Sequence, residues 1–329
     1  MKFATYKDAS RDGQLLVVSR DLSAAHYATG IANKLQQVLE DWNFMAPQLQ
    51  DLYEQLNQGR ARHAFPFEPA RCMAPLPRAG QWVSSAAFTS HVERLRQAAN
   101  AELPKNLKTE ALLYQGRSDG FSGPCDDLLV DGEAQDIDFE AGIAVITGDL
   151  PMGANAEQAL DGVRLLLLAN DACLRRVMAA ELASGSGLVR GKPATAFSPV
   201  AITPDEIGES WSQGRLKLTL QSTLNGRKLG LCDAGADMTF HFGQLISQLC
   251  KTRPVSAGSV VGSGPVSNYD SAQGFSCLAE KRAFETLQDG KPKTRFLKLG
   301  DSVRIEVKGK NGQSLFGAIE QKVVAPALD

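Results

Sequence analysis

Four apolar residues, Leu15 to Val18, follow an Asp12-Gly13 turn and predict a short buried strand ending at Ser19. Residues 23–58 then take up a helical spacing, first through Ile31, Leu35, Val38, Leu39 and Trp42, then through Leu49, Leu52, Tyr53 and Leu56. Prolines at 66, 69, 75 and 77 interrupt this pattern and read as a linker, so residues 1–75 are expected to form a small N-terminal α+β domain and 76–329 the main one. Within the main domain, residues 91–101 predict a helix and 137–147 a strand. Residues 156–177 read as a long helix that runs into Leu165–Leu168, where periodicity alone does not separate helix from buried strand. Short strands are predicted at 215–224, 228–232, 258–261, 276–286 and 302–308, with a hairpin turn at Asn225-Gly226. One further helix is expected over 238–251, where Phe242, Leu245, Ile246 and Leu249 share a face. Many short strands with few helices predict an α+β, β-rich roll or sandwich with helices packed outside.

Composition narrows the function without naming it. The 329 residues carry 35 basic and 37 acidic side chains, a balance that lacks the positive footprint of a nucleic-acid binder. No apolar run reaches the roughly 18–20 residues of a membrane span, and Met1-Lys2-Phe3 leads into polar sequence unlike a secretory signal. A cytoplasmic protein acting on a small molecule is the expectation. The six cysteines are widely spaced, with no Cys-x-x-Cys pair and no histidine at zinc-site spacing. They read as buried thiols, and only Cys173 lies in a segment with chemical character.

Four clusters stand out. His91 opens a predicted helix after Trp82-Val-Ser84-Ser85. Asp138 and Glu140 alternate with apolar residues on a strand, which places them on one face. Asn170, Asp171 and Arg175 precede Gly191-Lys192-Pro193, and Gly262-Ser-Gly264-Pro265-Val-Ser267-Asn268 forms a glycine-rich turn. Each also has an ordinary structural reading: a hydrogen-bonded histidine, a solvated strand face, an i,i+4 surface ion pair. The turn lacks the lysine and spacing of a phosphate loop.

Taken in order, these segments resemble the fumarylacetoacetate hydrolase family. The stretches that carry the resemblance include Ala64-Phe-Pro-Phe67, Leu113-Tyr-Gln-Gly116, Ile137-Asp-Phe-Glu140, Lys192-Pro-Ala-Thr-Ala-Phe-Ser-Pro199, Asp237-Met-Thr-Phe240 and Lys251-Thr-Arg-Pro254. The resemblance implies a mixed β-roll catalytic domain behind a small N-terminal domain, and a homodimer. It also implies cleavage or rearrangement of 1,3-diketo and 2-oxo acids on a divalent cation, Mg²⁺ or its relatives Ca²⁺ and Mn²⁺, held by four carboxylates. On it, His91 is the base that activates water, Glu280 orients it, and Glu140 and Asp171 are metal ligands. Arg175 and Lys192 bind and polarise substrate oxygens, while Tyr114 lines the pocket.

The pattern breaks at three places. Ser84 stands where the family has its first metal aspartate, seven positions before the histidine. Gly142 stands where it has its second glutamate, and Gly264-Pro265 replaces a Gly-Thr pair, leaving neither hydroxyl nor amide N–H at Pro265. Ser84, Gly264 and Pro265 are nonetheless expected to face the substrate. Loss of two carboxylates predicts weak or absent metal binding, with Lys192 and Arg175 neutralising Glu140 and Asp171 instead. A carbon–carbon hydrolase with little need of metal is the leading expectation. A repurposed decarboxylase, isomerase, hydratase or cyclase, and a non-catalytic paralogue, are the alternatives.

Overall fold

A computed structural model describes residues 1–185 and 187–327. Its larger sheet runs in the order Phe65–Pro66, Ala24–Tyr27, Gln14–Val18, Lys2–Tyr6, Ala201–Ile202, Val163–Asp171, Ala141–Thr147, Val260–Pro265, Trp82–Ser85, Leu113–Gly116; Thr195–Phe197 also pairs with Val163–Asp171. A second sheet places Arg227–Asp233, Thr219–Leu224, Ser302–Val307, Ile319–Val324 and Leu128–Leu129 side by side. The β-rich α+β architecture expected from the pattern is the one observed.

Residues 1–75 contribute four strands to the larger sheet itself, because Lys2 and Phe3 pair with Ile202 and Ala201. The helical spacing read over 23–58 divides into a strand at Ala24–Tyr27 and two helices, Leu35–Glu40 and Trp42–Asn57, which bury Leu35, Val38, Leu39, Leu49, Tyr53 and Leu56.

Two predicted elements change type. The long helix over 156–177 is a short helix, Ala156–Asp161, then the strand Val163–Asp171, then the helix Arg175–Ala183. Leu165–Leu168 lies in the middle of the sheet and is buried on both faces, which requires an unbroken apolar run. The strand predicted over 276–286 is the helix Leu278–Asp289.

Trp82 anchors the sheet beneath the site. Its indole lies where Gly116 and Gly262, on the two flanking strands, lack a side chain; a Cβ at either position would overlap the ring. Among the described residues no helix is long and apolar enough to cross a membrane.

Candidate active site

Strand ends and helix starts converge on one cavity of about 380 Å³. His91 sits in the first turn of the helix Thr89–Ala98, and Tyr114 on the strand Leu113–Gly116. Glu140 lies in the break between the strands Ile137–Asp138 and Ala141–Thr147. Arg175 begins a helix, Lys192 comes from the loop before Thr195–Phe197, and Pro265 ends the strand Val260–Pro265. All six line the cavity. Asp171 and Glu280 stand behind this layer, buried and holding its members in place.

One side of the floor is a histidine–glutamate pair. His91 Nδ1 lies 2.9 Å from Glu280 Oε2, while Ser267 Oγ donates to Oε1 at 2.6 Å and Arg94 also bonds Oε1. Burial would push the Glu280 carboxyl up, but the hydrogen bond and charge of His91, then Ser267 and Arg94, hold it below the usual range. An ionised Glu280 is acceptor only, so it fixes the His91 proton on Nδ1. Nε2 is left with a lone pair and no protein partner among the described residues.

The other side is an ion cluster closed on itself. Lys192 Nζ donates to Glu140 Oε2 at 2.5 Å, to Asp171 Oδ2 at 3.1 Å and to the Asp171 carbonyl at 3.1 Å. Arg175 Nη2 reaches Glu140 Oε1 at 2.6 Å and Asp138 Oδ2 at 2.8 Å. Thr195 Oγ1 donates to Asp171 Oδ1 at 2.8 Å, and the Tyr114 hydroxyl to Oδ2. Burial would raise the Glu140 carboxyl, but Lys192, then Arg175 and His91, bring it down to about 2. Burial likewise opposes the charge on Lys192, yet Asp171 and Glu140 hold the ammonium protonated well above its ordinary range. The ordinary reading of Asp171 and Arg175 as a surface pair does not apply. Asp171 is buried, and Arg175 turns to Asp138 and Glu140 instead.

Three residues that hold the site have no such role in the sequence reading. Asp138, grouped there with Glu140, also accepts the amides of Leu278 and Ala279 at 2.7 and 2.9 Å, so it caps the helix that carries Glu280. Arg94 lies one turn after His91, which was the available signal. Thr195 belongs to a quoted motif without a role. In the opposite direction, Ser84 and Gly264 were expected to face substrate but do not line the cavity; Ser85, Ala86 and Pro265 do. Ser84 Oγ is buried without a hydrogen-bond partner among the described residues.

The two remaining carboxylates do not fit a divalent cation. Such an ion needs several oxygens with lone pairs converging on one point. Here Glu140 Oε2 and both Asp171 oxygens already accept from Lys192, Thr195 and Tyr114, and Glu140 Oε1 is ion-paired with Arg175. At Gly142 the space for a side chain is filled by the Gly264 carbonyl oxygen, which a Cβ would overlap. His91, Cys277 and Glu280 do bring ligand atoms within 4.8 Å of one another. Burial, however, pushes the Cys277 thiol well up, and Glu280 is held on both oxygens.

Comparison with known proteins adds a family and a fold. Residues 1–78 match the model of the fumarylacetoacetase N-terminal domain 2, and residues 81–324 that of the fumarylacetoacetate hydrolase C-terminal domain. A 2,4-didehydro-3-deoxy-L-rhamnonate hydrolase from Sphingomonas sp. is 24% identical over 170 residues, 51% of this chain and 56% of its own length. The match thus spans little more than half of that relative. A maleylpyruvate hydrolase from Sphingobium sp. SYK-6, solved with manganese(II) and pyruvate, superposes with a TM-score of 0.64 at 13% identity, over 99% of this chain and 100% of its own. A 2-hydroxyhepta-2,4-diene-1,7-dioate isomerase from Mycobacterium marinum gives 0.61 at 15% identity, with both chains fully covered.

Proposed function

The chain belongs to the fumarylacetoacetate hydrolase family, and from that premise we propose that it is an enzyme cleaving a carbon–carbon bond of a 1,3-dicarbonyl compound, a diketone or acylpyruvate, with water activated by His91 and without a resident metal. The observation that carries this reading is the His91–Glu280 pair, in which His91 lines the cavity with Nδ1 bound to the carboxylate and Nε2 without a partner among the described residues.

The chemistry follows from that tautomer. Nε2 takes a proton from water as its oxygen attacks one carbonyl carbon, and Glu280 stabilises the imidazolium that forms. Arg175 Nη1, which has no partner among the described residues, offers N–H donors to the developing oxyanion. Collapse of the tetrahedral adduct breaks the bond to the central carbon. The electron pair leaves as an enolate on the second carbonyl, and the imidazolium returns its proton to carbon. One C–O bond forms and one C–C bond breaks, giving a carboxylic acid and a ketone with water as sole co-substrate. Arg175 Nη1 is thus the donor for the oxygen charge that develops in both steps, while the ion pairs of Lys192 hold the floor in place.

The test is an assay of 1-phenylbutane-1,3-dione and 4-phenyl-2,4-dioxobutanoate with chelator present. Cleavage of either should persist in excess EDTA and fall by about 10²–10⁴-fold in His91→Ala, whose melting temperature should stay close to that of the parent. Activity abolished by EDTA and restored by Mn²⁺ would overturn the metal-free mechanism. Turnover unchanged in His91→Ala would remove the base.

A further inference from the structure

Resting on that reading, we infer that the preferred substrate is an uncharged 1,3-diketone with apolar arms, and that an acylpyruvate or other carboxylate-bearing analogue is the poorer ligand. The walls above the polar floor are apolar, built from Val92, Leu95, Leu112, Leu113, Met178 and Leu182. Two of these stay apolar out to the mouth, where Leu112 is 39% and Leu182 59% exposed.

The cations of the floor are already paired with its own carboxylates, so a substrate carboxylate there meets the donors of Arg175 Nη1 but no unpaired cation among the described residues. Each of the three N–H groups of Lys192 already has an acceptor, two on Asp171 and one on Glu140. Arg175 is shared between Asp138 and Glu140, and Arg94 is held by Glu280. Four carboxylates, Asp138, Glu140, Asp171 and Glu280, therefore face three cations, Lys192, Arg175 and Arg94, and the His91 ring. Among the described residues lining the cavity, the remaining cation is Arg96, an exposed side chain that stays in contact with water. Bringing a carboxylate down to this floor removes it from water beside four carboxylates that already pair with the cations there. A ketone oxygen asks only for a hydrogen bond, and Arg175 Nη1 supplies it. Phenyl or alkyl arms gain from the apolar walls, and a cavity of about 380 Å³ accommodates a molecule of this size.

The experiment compares two probes that differ by one group, 1-phenylbutane-1,3-dione and 4-phenyl-2,4-dioxobutanoate, the first ending in methyl where the second ends in carboxylate. Titration calorimetry on full-length His91→Asn protein keeps turnover from intruding. The neutral probe should bind at least about tenfold more tightly. Leu182→Lys, a change at an exposed position that places a cation on the wall, should narrow or reverse that ratio. Equal or tighter binding of the carboxylate probe overturns the inference, and so does failure of the neutral probe to bind at millimolar concentration. Failure of the hydrolase reading looks different: the neutral probe binds with the expected preference, and the parent enzyme leaves it uncleaved.

Discussion

His91 with Glu280, and Lys192 with Glu140 and Asp171, share one cavity floor and use their charges in opposite ways. The first pair keeps one ring nitrogen without a protein partner among the described residues, on a side chain that lines the cavity. The second cluster has every carboxylate oxygen and every ammonium proton taken by a neighbour. Both are buried and both contain ionised groups. The difference lies in saturation: a group with an unfilled hydrogen-bonding position does chemistry, and a group without one builds structure and sets the field. The cluster is thus part of the folded scaffold beneath the cavity.

The comparison breaks first at Lys192. Lys192→Met leaves two buried carboxylates without their shared cation, and stability should fall by about 3–5 kcal/mol, read from urea unfolding. In this variant Mn²⁺ should raise the melting temperature, because freed carboxylate oxygens become ligands, while the parent protein should show no such shift. Equal stability of variant and parent would mean that the cluster is not the structural half.

Acid sharpens the same contrast. Glu140 is held at about 2, below its ordinary 4.5, so its contribution to stability is complete above the ordinary value and is lost as pH falls towards 2. Parent stability measured by urea titration should therefore decline by a few kcal/mol across that window, with a shallower slope in Glu140→Gln. Matching slopes would detach the cluster from acid sensitivity.

The smallest effect is expected at Gly142. Gly142→Glu restores the family's carboxylate in name, but its Cβ meets the Gly264 carbonyl oxygen. Overpacking should cost about 1–3 kcal/mol, with no gain in Mn²⁺ affinity by calorimetry. A variant that binds Mn²⁺ at parental stability would show that the neighbouring strand yields.

Much of this site was legible in one sequence because its residues sit in short motifs. His91, Glu140, Asp171, Arg175, Lys192 and Glu280 were all picked out, and the missing carboxylates at Ser84 and Gly142 pointed to Lys192 and Arg175 as replacement partners. The partners that come from distant chain segments were not legible. Arg94 meets Glu280 across 186 positions, and Asp138 caps a helix 140 positions away. That helix was itself misread as a strand, since it buries Glu280 beside Leu278 and Ala283, and a charge in the buried stripe erases the apolar period. The Leu165–Leu168 run failed for the reverse reason: burial on both faces removes alternation. Which serine faces the cavity depends on strand register, and Ser85 rather than Ser84 does so.

The Gly142–Gly264 contact also sets what position 142 can hold. A change that returns an acidic side chain to position 142 meets backbone, and backbone does not rotate aside as a side chain does. Gly264 is itself locked, with φ at +69° and the Ser85 carbonyl against the place where its own Cβ would be. Any side chain at position 142 therefore demands movement of the neighbouring strand. The contact works as a latch: with these two backbones against each other, position 142 has room for glycine alone.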